Sequence, residues 1–131
     1  MGYDNVDVEA CTEHGVILAI TPDGVRRPVA AAALAFVLAL AHKMFAKDRI
    51  TRSGLWSTKL DHIGMGLSGR ILGIIGLGNI GRDLVSLVKP LDMKLLAHDP
   101  YVTPAEAAEV GVNLVDLEIL LREADMVIIL C

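Results

Sequence analysis

The stretch ILGIIGLGNIG, residues 71–81, constrains the fold more than any other. A near-continuous aliphatic run leads straight into glycines at 76, 78 and 81. Such a run reads as a strand buried on both faces, as in a parallel sheet. Asn79 to Lys89 then places Ile80, Leu84, Leu87 and Val88 on one helical face, with Pro90 as the stop. The alternation continues. MKLLAHD (93–99) reads as a strand, and TPAEAAEV (103–110) as a helix with a capping box of Thr103 and Glu106 and Pro104 at its first position. Gly111 ends that helix. VNLV (112–115) reads as a short strand, DLEILLREA (116–124) as a helix capped by Asp116, and MVIIL (126–130) as a further strand. Strands alternating with short helices predict a parallel sheet joined by right-handed crossovers.

The first half is less regular. Residues 5–14 (NVDVEACTEH) read as a short helix stopped by Gly15, and VILAI (16–20) as a buried strand. TPDGVRRP (21–28) is rich in turn residues. A helix is expected from about Pro28 to Lys47, apolar nearly all round and so buried against more than one element. Residues 48–69 read as a long polar connection carrying the only Trp.

Composition excludes several classes. The chain has 131 residues, enough for one domain with a core, and is 53% apolar with only 4% aromatic residues. A net charge of −4 without a basic block argues against nucleic acid as a partner. The longest apolar run, Val29 to Ala41, has 13 residues, short for a membrane span, and the acidic N-terminus does not read as a signal peptide. Cys11 and Cys131 are isolated, which fits a reducing, cytoplasmic setting and indicates no metal site.

The glycine turn gains meaning from its surroundings. Gly76-Leu77-Gly78-Asn79-Ile80-Gly81 follows a strand and opens a helix, the context of a dinucleotide-binding turn. Gly76 allows the tight turn, Gly78 lets a pyrophosphate approach the backbone, and Gly81 lets the helix pack closely on the strand. The helix N-terminus offers free N–H groups to phosphates. Asp99 lies 18 residues after Gly81, at the end of the next strand. There its carboxylate would accept hydrogen bonds from the adenosine ribose and repel a 2′-phosphate, favouring NAD over NADP. The residues that follow, Pro100 and Tyr101, bring no Arg to rescue NADP.

With these blocks in place a family resemblance is evident. GYDNVD, then the segment from Val6 through Ala41, then GLW, LSGRILGIIGLGNIGRDL, AHDPY and LVDLEILLREADMVIILC resemble the D-isomer-specific 2-hydroxyacid dehydrogenases along nearly the whole chain. The resemblance implies an α/β fold: part of a doubly wound parallel sheet, a Rossmann-type NAD-binding domain, with a remnant of a second, substrate domain. Residues 1–28 would be that remnant and 29–131 the first part of the NAD domain. It implies hydride transfer between NAD and a small 2-hydroxy or 2-oxo acid, and a homodimer built around the alanine-rich helix. The expected cofactor-binding residues are Gly76, Leu77, Gly78, Asn79, Ile80, Gly81, Asp99, Pro100 and Cys131, with Val29 near the nicotinamide.

No catalytic residue is assigned. The family's Arg, Glu and His all fall beyond the position matching Cys131, so this chain alone is expected not to turn over. None of His14, His42, His62 and His98 matches the catalytic His, and His98 is expected to pack or hydrogen-bond structurally. Arg26-Arg27 read as a solvated basic pair, and Cys131 as a small strand-end residue rather than a nucleophile. A non-catalytic NAD(H)-binding or co-repressor-like module is the alternative. Another Rossmann enzyme, such as a methyltransferase, is disfavoured by GYDNVD and the third glycine.

Overall fold

A computed structural model describes residues 3–21 and 23–131. Met1, Gly2 of the GYDNVD motif and Pro22 of TPDGVRRP lie outside the described residues. The chain runs through α1 (Val8–Glu13), α2 (Arg26–Ala41), α3 (Met44–Arg52) and a 3₁₀ segment (Trp56–His62) into the sheet region. There β1 (Ile71–Ile75), α4 (Asn79–Val88), β2 (Lys94–His98), α5 (Pro104–Glu109), β3 (Asn113–Leu114), α6 (Leu117–Glu123) and β4 (Met126–Ile129) alternate as expected.

The sheet has the order β3-β2-β1-β4, and every pairing is parallel. β1 is central: Ile74 stands opposite Ala97 of β2 on one side and Ile128 of β4 on the other. Its side chains alternate between two helical layers. A Cβ on Gly81 of α4 would lie 3.8 Å from the Ile74 methyl, whereas a Cβ on Gly73 would lie 2.6 Å from Leu120 of α6. α4 and α6 therefore cover opposite faces, and Gly73 admits α6 at close range. Leu72, Ile74, Leu84, Val85, Val88 and Ala97 form the centre of the core, with Ala30, Ala33, Val37 and Ala41 of α2 packed onto it.

Capping follows the sequence at α5, where Thr103 and Glu106 form the full box. Asp116 stands at the cap position of α6, but its side chain makes no capping bond.

Four expectations for the first half need correction. Residues 16–20 form no strand; they are exposed, Ile17 at 92%. A strand needs a neighbour for its N–H and C=O groups, and no described strand lies beside this run. The expected helix Pro28–Lys47 is two helices, starting two residues earlier at Arg26 and breaking at His42-Lys43, where Lys43 adopts φ 51°. A continuing helix would use the Ala41 carbonyl internally. Here it accepts the Met65 N–H at 2.8 Å, and a Cβ on Gly64 would lie 2.7 Å from the His42 Cα, so the returning chain caps α2. Residues 48–69 are accordingly not a plain connection, since they include the rest of α3 and the 3₁₀ segment. Lastly, α2 buries one face rather than all of it: Phe36 and Leu40 on the other side are exposed.

Candidate dinucleotide-binding site

The sheet order fixes where a ligand belongs. From β1 the chain steps outward to β2 and β3, then returns to place β4 on the other side of β1. Open α/β sheets bind ligands above the strand C-termini at such a reversal. The glycine turn leaves β1 at that point, and Cys131 follows the end of β4 beside it.

The three glycines differ in what surrounds them. Gly76 has φ +95°, and a Cβ there would lie 2.9 Å from both the Cys131 nitrogen and the Leu130 carbonyl carbon. Gly81 is buried, and a Cβ on it would run into the Gly76 carbonyl oxygen. Gly78 is exposed, has φ −73°, and would place a Cβ in open space. Two glycines are thus required by the chain's own packing. The middle one is not, and it leaves a clear approach to the backbone.

Hydrogen bonds tie the turn to the end of β2. The Gly76 N–H donates to the His98 carbonyl at 2.9 Å, and the Leu77 N–H donates to Asp99 Oδ2 at 2.8 Å. Asp99 Oδ1 accepts the Tyr101 N–H at 2.9 Å. The Leu77 side chain is fully buried and anchors the turn from below. Beyond it, Gly78 caps α4 without a side-chain acceptor, while Asn79 is exposed and Ile80 half-buried. The first N–H groups of a helix have no partner within the helix, and at α4 no capping side chain supplies one.

Asp99 and Pro100 sit on the rim of a cleft of about 470 Å³ whose walls include Pro104, Leu114, Val115 and Ile119. The sequence did not single out the last three. They reach this place because β3 pairs with β2 and α6 follows directly, a long-range arrangement with no local signal. On the far side of the turn, Val29, Ala33 and Phe36 of α2 meet Ile128, Ile129 and Leu130 around a smaller hollow of about 200 Å³. The structure thus brings Val29 beside the end of β4.

Two of the four histidines contact backbone carbonyls. His98 Nδ1 lies 3.1 Å from the Val115 carbonyl and His14 Nδ1 lies 2.9 Å from that of Ala10. Arg26 and Arg27 are not a free solvated pair. Arg26 donates to Asp83 at 2.8 Å and Arg27 to Ser86 at 2.9 Å, fastening the start of α2 to α4. The hydrogen bond from Arg26 holds the Asp83 carboxyl below the usual carboxylate range. Cys11 and Cys131 are free thiols. Among the described residues no three His, Cys, Asp or Glu side chains gather as metal ligands. No single described helix is long and apolar enough to cross a membrane, although the bent pair α2 and α3 passes by length and composition together.

Comparison with known proteins agrees with this architecture. Residues 34–131 match the family model of the D-isomer specific 2-hydroxyacid dehydrogenase, NAD binding domain. The chain is 37% identical over 127 residues to D-3-phosphoglycerate dehydrogenase of Archaeoglobus fulgidus, covering 97% of this chain and 24% of that one. It is 35% identical over 133 residues to glyoxylate reductase of Thermococcus litoralis, covering 97% of this chain and 40% of that one. Among solved structures, apo D-lactate dehydrogenase from Escherichia coli superimposes with a TM-score of 0.82 at 33% identity, over 99% of this chain and 40% of that one. The chain therefore spans roughly a quarter to two fifths of the length of these relatives. Parallel sheet, reversal point, glycine turn and family match converge: the chain belongs to the D-isomer-specific 2-hydroxyacid dehydrogenase family, through its NAD-binding domain.

Proposed function

We propose that this chain is the cofactor-holding part of an NAD-dependent dehydrogenase that interconverts a small 2-hydroxy acid and the corresponding 2-oxo acid. Residues 29–131 form the first part of the NAD domain in this reading, and 1–28 are a remnant of the substrate domain. The exposure of Val16, Ile17 and Ile20, which contribute nothing to the core, supports that division. Bound NAD supplies the chemistry by accepting or giving up a hydride at its nicotinamide. The residues of this chain bind and orient it.

The carrying observation is the unequal packing of the glycines beside a carboxylate. Gly76 and Gly81 shape the turn, and the open space at Gly78 admits the pyrophosphate. The N-terminal N–H groups of α4, with Asn79 and Ile80 in its first turn, face phosphate charge favourably. An ionised carboxylate has about four lone-pair sites. Two on Asp99 accept backbone N–H groups, which leaves one for each hydroxyl of the adenosine ribose. Pro100, Leu114, Val115 and Ile119 offer an apolar wall for the adenine. Val29 and the backbone at Cys131 flank the other end, where the nicotinamide would lie.

Nothing in this arrangement assigns an acid/base. The rings of His14 and His98 are held by backbone carbonyls, with no carboxylate on either. We assign cofactor binding to this chain and no turnover by itself. The cytoplasm suits its two free thiols. A homodimer would cover the apolar groove of about 570 Å³ formed by Phe36, Leu38, Ala39, Met44 and Phe45. The decisive experiment is a calorimetric titration of the chain and its Asp99→Ala variant with NAD and NADP. The native chain should prefer NAD, and the variant should lose most of that preference. The same preference in both would remove Asp99 from the site.

A further inference from the structure

The bond from the Leu77 N–H to Asp99 Oδ2 joins the acid at the end of β2 to the middle of the glycine turn, across 22 residues of sequence. It does not stand alone. The preceding N–H, on Gly76, is held by the His98 carbonyl. Two successive peptide units of the turn are therefore both drawn toward the end of β2, one by backbone and one by a side chain. The next peptide, at Gly78, begins the open face where α4 has no capping acceptor. Gly76 itself sits at φ +95°, a region that glycine enters freely in either sense, so its own torsions do not hold the turn. The buried Leu77 side chain anchors the residue, and the Gly76 carbonyl of the same peptide packs against Gly81 of α4. The Asp99 carboxylate holds the N–H side of that peptide, through a charge-assisted bond of the stronger kind.

We propose that Asp99 is a positioning residue for pyrophosphate binding as well as the ribose acceptor: its carboxylate latches the Leu77 peptide and so fixes the direction in which the following N–H groups of the turn point. This rests on reading the turn as the NAD site, and deepens it. The latch acts through the backbone, so it should matter even to a ligand that offers Asp99 no hydroxyl. Binding to a pre-set turn avoids the ordering cost that a loose turn would meet on each encounter.

The test separates the latch from both ribose recognition and charge. The probe is an NAD analogue carrying 2′,3′-dideoxyribose on its adenosine, which has nothing to donate to Asp99. The proteins are Asp99→Asn and Asp99→Ala of the full 131-residue chain. Both remove the negative charge that repels phosphate. The asparagine alone retains a side-chain oxygen, enough for one of the two N–H groups that Asp99 holds, Leu77 or Tyr101, and exchange at both positions shows which one it serves. The analogue should bind the alanine variant roughly tenfold more weakly than the asparagine variant, equivalent to about 1.4 kcal/mol. Amide exchange should show the Leu77 N–H opening roughly tenfold faster in the alanine variant, with Gly76, held by His98, unchanged. Exchange at Leu77 as fast in the native chain as in both variants would overturn the latch. Equal affinity for the analogue, despite a difference in exchange, would overturn its role in binding. Asp99→Leu, which matches Asn in shape and has no acceptor, takes the place of the alanine variant if that one does not fold. A native chain that binds neither NAD nor the analogue would remove the cofactor reading, and the exchange at Leu77 would still decide whether the latch exists.

Discussion

Ile74 and Ile17 both lie in short aliphatic runs, ILGII and VILAI, yet one is fully buried and the other 92% exposed. The difference lies in their neighbours. Ile74 has a strand on each side and α4 above it. Residues 16–20 have no described strand to share hydrogen bonds with, so their apolar side chains stay in solvent. The same contrast divides the molecule. From Ile71 onward the inner strands and α4 close over one another. Before it, α2 contributes Ala30, Ala33, Val37 and Ala41 to that core while Phe36, Leu40 and Phe45 remain outside. An apolar sequence thus states that a surface wants covering, and the partner decides whether it becomes a strand, a core or an interface.

The glycine turn offers the largest break in this comparison, because packed and open positions lie three residues apart. Gly81→Ala places a methyl against the Gly76 carbonyl, a backbone atom that cannot swing aside. Overpacking of this kind costs about 1–3 kcal/mol. The unfolding free energy from urea titration should fall by that amount, and NAD affinity should fall with it, since α4 must move away from β1. Gly78→Ala adds the same methyl into open space at a φ that alanine adopts. Stability should stay within about 0.5 kcal/mol, while NAD binding weakens roughly tenfold, or about 1.4 kcal/mol. If both variants lose stability equally, Gly78 is structural and the open approach is not a ligand path.

The order of these effects also explains what could be read from the sequence. From Ile71 to Cys131 the signals are local: continuous aliphatic runs and helical patterns, the box at Thr103, glycines at 76, 78, 81 and 111, and Asp99 at a fixed distance. Each element depends mainly on its own residues, and each was found where expected. The break at His42-Lys43 carries no glycine or proline. It is imposed by Gly64 and Met65, more than twenty residues later, which take the Ala41 carbonyl from the helix. The docking of Arg26 on Asp83, 57 positions away, is hidden for the same reason. Within the candidate site, the glycine turn and the carboxylate beside it were legible because glycine spacing and an end-of-strand carboxylate are chemical signatures. Leu114, Val115 and Ile119 were not, since apolar residues in a short strand and helix look alike whether they line a cleft or a core.

A smaller effect concerns how the closed region is fastened. Asp125 Oδ2 accepts the Ile71 N–H at 2.8 Å, and Oδ1 accepts from Arg70 at 2.9 Å, joining the start of β1 to the start of β4. The Ile71 N–H first, and Arg70 after it, hold this carboxyl below the usual range. A lowered folded-state pKa means that the carboxylate's contribution is fully present above the unfolded value, about 3.9. It is lost as pH falls through the folded value. The urea midpoints of the native chain and Asp125→Asn should therefore differ by a constant amount between pH 5 and 7. They should converge below about pH 3.9 as the native carboxylate takes up its proton. A difference that persists unchanged into acid would show that geometry rather than charge fastens β1, and would make this joint no different from an ordinary loop contact.

The smallest effect expected is at Ile17, where it tests the exposed side of the comparison. Replacing a buried isoleucine with alanine costs about 2–5 kcal/mol, because apolar area returns to water and a cavity remains. At Ile17 neither consequence applies: the side chain is already in solvent and nothing packs on it. Ile17→Ala should leave the unfolding free energy of the isolated chain, from urea titration, within about 0.5 kcal/mol of native. A loss of 2 kcal/mol or more would show that residues 16–20 are covered in solution, by a second copy or by another part of the same chain. Repeating the melt over a range of protein concentrations separates those two, since a contact between copies makes the midpoint rise with concentration. An unchanged midpoint at every concentration leaves this aliphatic run as surface that this chain does not cover, and ties the stability of the NAD-binding domain to the residues from α2 onward.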